Sequence, residues 1–177
     1  MDWTGKKVLV VGCGISGIGA TELLEKVGAF PVLFDENTKV DMDIVRGKFK
    51  EGTNAQIIIG QLPKEIEAQI DLVVLSPGVP SDTAFADSFR ERKVPVIGEI
   101  ELAYLCGKGK VLAITGTNGK TTTTALAGKI MQEYFASAFI VGNIGNPYTS
   151  AALKMQEDTV TVAEVSSFQL ETIQKFC

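Results

Sequence analysis

Two glycine-rich loops and one acid carry most of the chemistry this sequence could perform. Gly12-Cys13-Gly14-Ile15-Ser16-Gly17 follows a short apolar run and opens a segment of helical periodicity, and Gly116-Thr117-Asn118-Gly119-Lys120-Thr121 does the same. In a G-x-G-x-x-G turn, the first glycine permits the bend. The second lets backbone approach a pyrophosphate, and the third lets the helix pack closely on the sheet. The helix that follows turns free N–H groups and a partial positive charge toward the anion. Asp35 lies 18 residues beyond Gly17, where a dinucleotide-binding unit places its ribose-binding acid. The spacing does not say which pyrophosphate binds, since NAD, FAD and a UDP-sugar all carry one.

The second loop, Thr115 to Thr122, has the parts of a Walker A loop. Its backbone N–H groups would cradle phosphates, Lys120 would neutralise the β/γ oxygens, and the Thr121 hydroxyl would reach Mg²⁺. It departs from the usual pattern in one place: the upstream glycine is replaced by Ile114, and Gly116 stands two residues later. Glu164 lies near the carboxyl end of an apolar stretch, Thr159–Val165, where an acid beside a P-loop holds the metal. The bland alternatives are glycines chosen for packing, an exposed lysine and a solvent-facing glutamate. The strand before and helix after each loop argue against them.

These groups need elements to position them. Lys7–Val11 reads as a buried strand, and Ala20, Leu23, Leu24 and Val27 mark one helical face ending at Gly28. Pro31–Phe34, Ile57–Ile59, Asp71–Leu75 and Val94–Ile97 read as further strands, with helices over Asp82–Arg92 and Glu99–Leu105. The stretch from Asn37 to Gly60 is otherwise hard to read. Cys106–Lys110 reads as a linker, after which the pattern restarts. Val111–Thr115 is a strand, Thr121–Phe135 a helix with Ala127, Ile130, Met131 and Tyr134 on one face, and Phe139–Val141 and Thr159–Val165 are strands. The expectation is an α/β protein: a Rossmann-like parallel-sheet domain over 1–106, then the truncated start of a P-loop ATPase α/β domain over 107–177.

Composition excludes several classes. With 177 residues, a net charge of −4 and a pI near 5.0, the chain shows no electrostatic footprint for nucleic acid. Its apolar runs are too short to span a bilayer, and the N-terminus lacks the order of a signal peptide, so a cytoplasmic location is expected. Three cysteines, Cys13, Cys106 and Cys177, make no CxxC, and there is no histidine. A metal held by these residues would take oxygen ligands, which suits a hard cation such as Mg²⁺.

The strings Thr115-Gly116-Thr117-Asn118-Gly119-Lys120-Thr121, Gly142-Asn143-Ile144-Gly145 and Glu164-Val165-Ser166-Ser167-Phe168-Gln169-Leu170-Glu171 together resemble the Mur ligases of peptidoglycan synthesis. A P-loop without the upstream glycine is typical of that family. The last string is similar to its D-glutamate-adding branch. The alanine-adding branch would carry His in place of Asn118, and the lysine- or diaminopimelate-adding branch His in place of Phe168.

The resemblance implies an ATP-dependent amide ligase. ATP phosphorylates the terminal carboxylate of UDP-MurNAc-L-Ala, and the amine of D-glutamate attacks the acyl phosphate. The first loop then holds a UDP-sugar and no redox cofactor. Gly14, Ile15, Ser16 and Gly17 would meet the diphosphate, and Asp35 and Glu36 the uridine. Ser76, Pro77 and Gly78 would line the same crevice, Asn143 would face the muramoyl portion, and Ser166 would also touch substrate. ATP would lie on Gly116, Thr117, Asn118, Gly119, Lys120, Thr121 and Thr122, with Mg²⁺ on Thr121 and Glu164, and Lys120 and Glu164 as the catalytic pair. Asn37 stands where some relatives have an arginine that packs on uracil. The family's carbamylated lysine, metal-binding histidine and C-terminal domain are not in these residues, so the chain is expected to bind substrate without completing ligation. The competing readings are an NAD(P)-binding Rossmann redox module and a non-catalytic nucleotide-binding regulator.

Overall fold

A computed structural model of the chain describes residues 1–50, 52–142 and 146–176. The chain divides into two compact units, Met1–Glu99 and Ile100–Cys177. In the first, five strands form a parallel sheet in the order β3-β2-β1-β4-β5. They are β1 (Lys7–Val11), β2 (Phe30–Asp35), β3 (Gln56–Ile59), β4 (Leu72–Leu75) and β5 (Val96–Gly98). Helices α1 (Ile15–Lys26), α2 (Met42–Gly47), α3 (Lys64–Glu67) and α4 (Ala84–Glu91) connect them. The order reverses between β1 and β4, so the loops leaving their carboxyl ends diverge and open a crevice.

Sequence explains most of this unit. Val8, Leu9 and Val10 of β1 and Val73 and Val74 of β4 are wholly buried, as continuous apolar runs must be when helices cover both faces of a sheet. The α1 face expected from periodicity is buried at Ala20, Leu23 and Leu24. α1 ends in a Schellman turn: Gly28 takes φ +83°, its N–H reaches Glu25 O, and Ala29 N–H reaches Leu24 O at 2.9 Å. α4 starts later than Asp82 because Thr83 caps it, its hydroxyl accepting from Ala86 N–H at 3.2 Å. Within the stretch that was hard to read, Asp41 caps α2 by accepting from Asp43 and Ile44 N–H. β3 follows at Gln56.

α5 (Glu99–Cys106) carries the chain onward. The second unit holds a parallel three-stranded sheet in the order β6-β8-β7, built from β6 (Lys110–Ile114), β7 (Ala138–Gly142) and β8 (Val160–Glu164). Around it run α6 (Lys120–Tyr134), the one-turn helix α7 (Tyr148–Ala151), a 3₁₀ turn at Ala152–Lys154, and α8 (Ser167–Leu170). β8 is central, and Val162 and Ala163 are fully buried.

The face expected for α6 is corrected in part: Ala127 and Met131 are half-buried on the inner side, but Ile130 and Tyr134 are not. Ile130 is 56% and Tyr134 80% exposed, and the residues buried in the helix are Thr124 and Gly128. The cause is closeness: a Cβ on Gly128 would stand 2.3 Å from the Ile140 side chain. Only small side chains fit between this helix and β7. Among the described residues, no helix is long and apolar enough to cross a membrane.

Candidate functional site

The first site is built on β1, the turn after it and α1. Gly12 takes φ +102°, and its N–H donates to Phe34 O at 2.7 Å, which stitches the loop to β2. Cys13 N–H donates to Asp35 Oδ2 at 3.0 Å, and Asn37 N–H donates to Oδ1 of the same carboxylate at 3.0 Å. Asp35 therefore holds two loops in place. Each of its oxygens keeps a lone pair for a ligand donor.

The three glycines have different jobs. A Cβ on Gly17 would lie 1.8 Å from Gly12 O, so the α1 backbone presses directly on the loop. A Cβ on Gly12 would meet Ser76 Oγ at 2.9 Å. A Cβ on Gly14 would meet nothing within 4 Å. Gly14 is extended, at φ −76° and ψ −175°, and no side chain caps α1. The first-turn N–H groups, which the helix ladder leaves over, are thus free to be capped by an anion.

A cavity of about 550 Å³ opens over this turn. Gly14, Ile15, Ser16, Asp35, Glu36, Ser76, Pro77 and Gly78 all line it, as does Asn37. Gly17 is buried beneath the loop and is not part of the lining. One wall went unread in the sequence: Phe34, Val79, Pro80 and Phe85. Phe34 and Phe85 stack with centroids 5.5 Å apart. The signal for them was only an aromatic at a strand end and another on an amphipathic helix. The Cys13 thiol, also in the lining, is pushed up to about 11, first by burial and then by the charge of Asp35. It is a neutral thiol near pH 7 and no nucleophile.

The second site is built on β6, α6 and β8. Gly116 and Gly119 take positive φ, and Gly119 caps α6 in the left-handed region, which turns the loop back over the helix N-terminus. Residues 115–119 are exposed. Lys120 Nζ donates to Gly116 O at 2.7 Å and makes a longer 3.5 Å contact with Thr117 O, so the loop curls around the ammonium group. Thr121 and Thr122 are exposed on the first turn.

Glu164 ends β8 in register with Ile114 on one side and Gly142 on the other. The acid therefore sits beside the strand that feeds the loop. It is 4% exposed, and its Oε2 has no hydrogen-bond partner among the described residues. A buried carboxylate oxygen left unpaired is costly, and a hard cation is the natural partner. One carboxylate, a threonine hydroxyl, phosphate oxygens and water suit Mg²⁺, which seldom takes an all-protein cage. Ser166 caps α8: its hydroxyl accepts from Gln169 N–H at 3.3 Å, and its own N–H donates to Gln169 Oε1 at 2.9 Å. Asn143 lies outside the described residues.

Comparison with known proteins matches both halves of the chain to one family. Residues 6–98 match the model of the Mur ligase MurD-like N-terminal domain, and residues 114–176 match that of the Mur ligase middle domain. The chain belongs to the Mur ligase family. The UDP-N-acetylmuramoylalanine--D-glutamate ligase of Lachnospira eligens is 55% identical over 176 residues, covering 99% of this chain and 39% of that protein. Ligases of the same name from Lachnoclostridium phytofermentans and Caldicellulosiruptor saccharolyticus are 51% and 44% identical, again over 99% of this chain and 39% of their own length. The chain thus spans about two fifths of the curated relatives it matches.

Proposed function

We propose that the chain belongs to an ATP-dependent ligase that adds D-glutamate to UDP-N-acetylmuramoyl-L-alanine. Residues 1–106 take the UDP end of the substrate, and residues 107–177 take ATP. The observation that carries this reading is the cavity over the first turn. An uncapped helix N-terminus supplies anion donors there, Asp35 and Glu36 supply polar groups, and an apolar wall accepts the flat part of a nucleoside.

At the second loop, Lys120 exchanges its contact with Gly116 O for phosphate oxygens and spreads charge off the transferred phosphoryl group. Glu164 and Thr121 would hold Mg²⁺, which supplies further charge neutralisation when bound. The alanyl carboxylate oxygen attacks the γ-phosphorus and ADP leaves. The amine nitrogen of D-glutamate then attacks the acyl carbon, phosphate leaves, and the amine gives up a proton to yield the amide. The chain's own residues contribute positioning and electrostatics to these steps.

Titration calorimetry tests the reading. The chain is expected to bind UDP-MurNAc-L-Ala and to give no heat with NADH. Tight NADH binding with no response to the UDP-sugar would reject it.

A further inference from the structure

The chain from Glu164 to Phe176 leaves the sheet, makes one turn of helix and returns to the second unit. Its start is fixed, because Glu164 ends the central strand and Val165 N–H donates to Ile114 O at 2.9 Å. α8 is a single turn closed by Ser166 and Gln169, and so short a helix has little stability of its own. Its far end is held by a carboxylate. Glu101, on α5 and 1% exposed, accepts three consecutive backbone N–H groups. Oε2 takes those of Gln174 and Phe176, both at 3.0 Å, and Oε1 takes that of Lys175 at 2.9 Å.

Successive N–H groups converging on one anion form a nest. Here the anion is a side chain 73 to 75 residues away in sequence. Three residues further along α5, Tyr104 meets the ring of the buried Phe176 edge-on, with centroids 5.4 Å apart. Two side chains of one helix therefore grip the end of the segment that begins at Glu164.

We infer that Glu101 is a positioning residue for the segment that leaves the metal- and phosphate-facing end of β8, α8 included. By tying residues 174–176 to α5, it sets where α8 and the backbone after Glu164 lie. The inference rests on the nucleotide reading of the second loop.

Two substitutions test it. Glu101→Gln keeps the shape but replaces one acceptor oxygen with a donor, so at least one of the three N–H groups loses its partner. Glu101→Asp keeps the carboxylate on a shorter stem. Amide hydrogen exchange and titration with ATP at stepped Mg²⁺ concentrations are measured on the whole chain, the parent first.

In Glu101→Gln, amides of residues 166–170 and 174–176 are expected to exchange faster while those of β6, β7 and β8 keep their protection. Affinity for Mg²⁺–ATP is expected to fall roughly 3- to 10-fold, on the order of the net worth of one lost hydrogen bond. Glu101→Asp recovers part of both. A parent that binds no Mg²⁺–ATP removes the nucleotide reading and the inference with it. A parent that binds, with Glu101→Gln binding equally well, overturns the positioning role alone. If Glu101→Gln loses protection across the strands, Glu101→Asp decides: intact strands with intermediate affinity support the role, and intact strands with parental affinity refute it.

Discussion

The glycines of the first loop separate stability from binding within one turn. On Gly17 a methyl group would start 1.8 Å from Gly12 O, which must retreat by about 1.2 Å to reach even a 3.0 Å contact. That oxygen cannot move freely, because Gly12 N–H is tied to Phe34 O and Cys13 N–H to Asp35. Overpacking of this kind costs about 1–3 kcal/mol. The better helix propensity of alanine returns up to about 1 kcal/mol. A net loss of about 1 kcal/mol lowers the melting temperature of a unit this size by roughly 4–8 °C.

On Gly14 the methyl group would meet nothing, and the backbone is already in a region any residue adopts. Alanine is a poorer N-cap than glycine, but it lowers the entropy of the unfolded chain, and the two effects are similar in size. Stability should change by less than about 0.5 kcal/mol. The methyl group would, however, stand in the cavity at the helix N-terminus, where it displaces the phosphate from its N–H donors. Loss of one charged hydrogen bond is worth about 1.5–3 kcal/mol, or roughly 10- to 100-fold in Kd. Thermal melts and calorimetry with UDP-MurNAc-L-Ala on both variants check this. Gly14→Ala binding with parental affinity, or Gly17→Ala melting with the parent, would refute the division of labour.

Three other outcomes follow from the same geometry. Lys120→Ala removes an ammonium group whose hydrogen bonds among the described residues go to exposed loop carbonyls, so melting should shift by less than about 0.5 kcal/mol while Mg²⁺–ATP affinity falls about 10- to 100-fold; calorimetry showing parental affinity counts against the lysine's role. Glu164→Gln replaces a buried carboxylate whose Oε2 has no partner among the described residues, so without metal the variant should melt no lower than the parent, and Mg²⁺–ATP should stabilise the parent but not the variant; a marked loss of metal-free stability would contradict this. Both Cys13 and Cys106 are raised from 9.0 to about 11, chiefly by burial, so the folded state keeps the proton that the unfolded state releases. Their contribution is complete below about pH 9 and is lost as pH rises toward 11, and urea melts of a Cys13→Ser, Cys106→Ser variant should show a flatter decline over that window.

The strands were legible because burial on both faces leaves a continuous apolar run, as in Val8 to Val11 and Leu72 to Leu75. α2, α3 and α7 were not, since four to six residues show no period. α6 misled for a physical reason: hydrophobicity pointed to Ile130 and Tyr134, whereas close packing on Ile140 selects Thr124 and Gly128. At the first site, the loop could be read from its glycines because steric permission is a local property. The wall of Phe34 and Phe85 could not, because it forms only when the end of β2 meets α4. Glu101 was hidden for the same reason, as its three partners lie at the other end of the second unit's sequence.

On the proposed reading, the two loops take the same kind of anion with different preparation. The Gly12–Gly17 turn is held before any ligand arrives: by Phe34 O, by Asp35, by a long 3.4 Å contact from Ser76 Oγ to Gly12 O, and by the pressure of Gly17. Its shape is fixed by folding, so ligand contacts there add to affinity without first ordering the loop. The Gly116–Thr121 loop is exposed and closes on its own lysine. A phosphate must displace that internal contact before it gains the ammonium charge, so part of the attraction is spent on rearrangement. Substitutions that touch the first loop's glycines therefore divide cleanly into folding and binding effects. Those at Lys120 alter the empty loop and the bound state together, and only the difference between them appears as affinity.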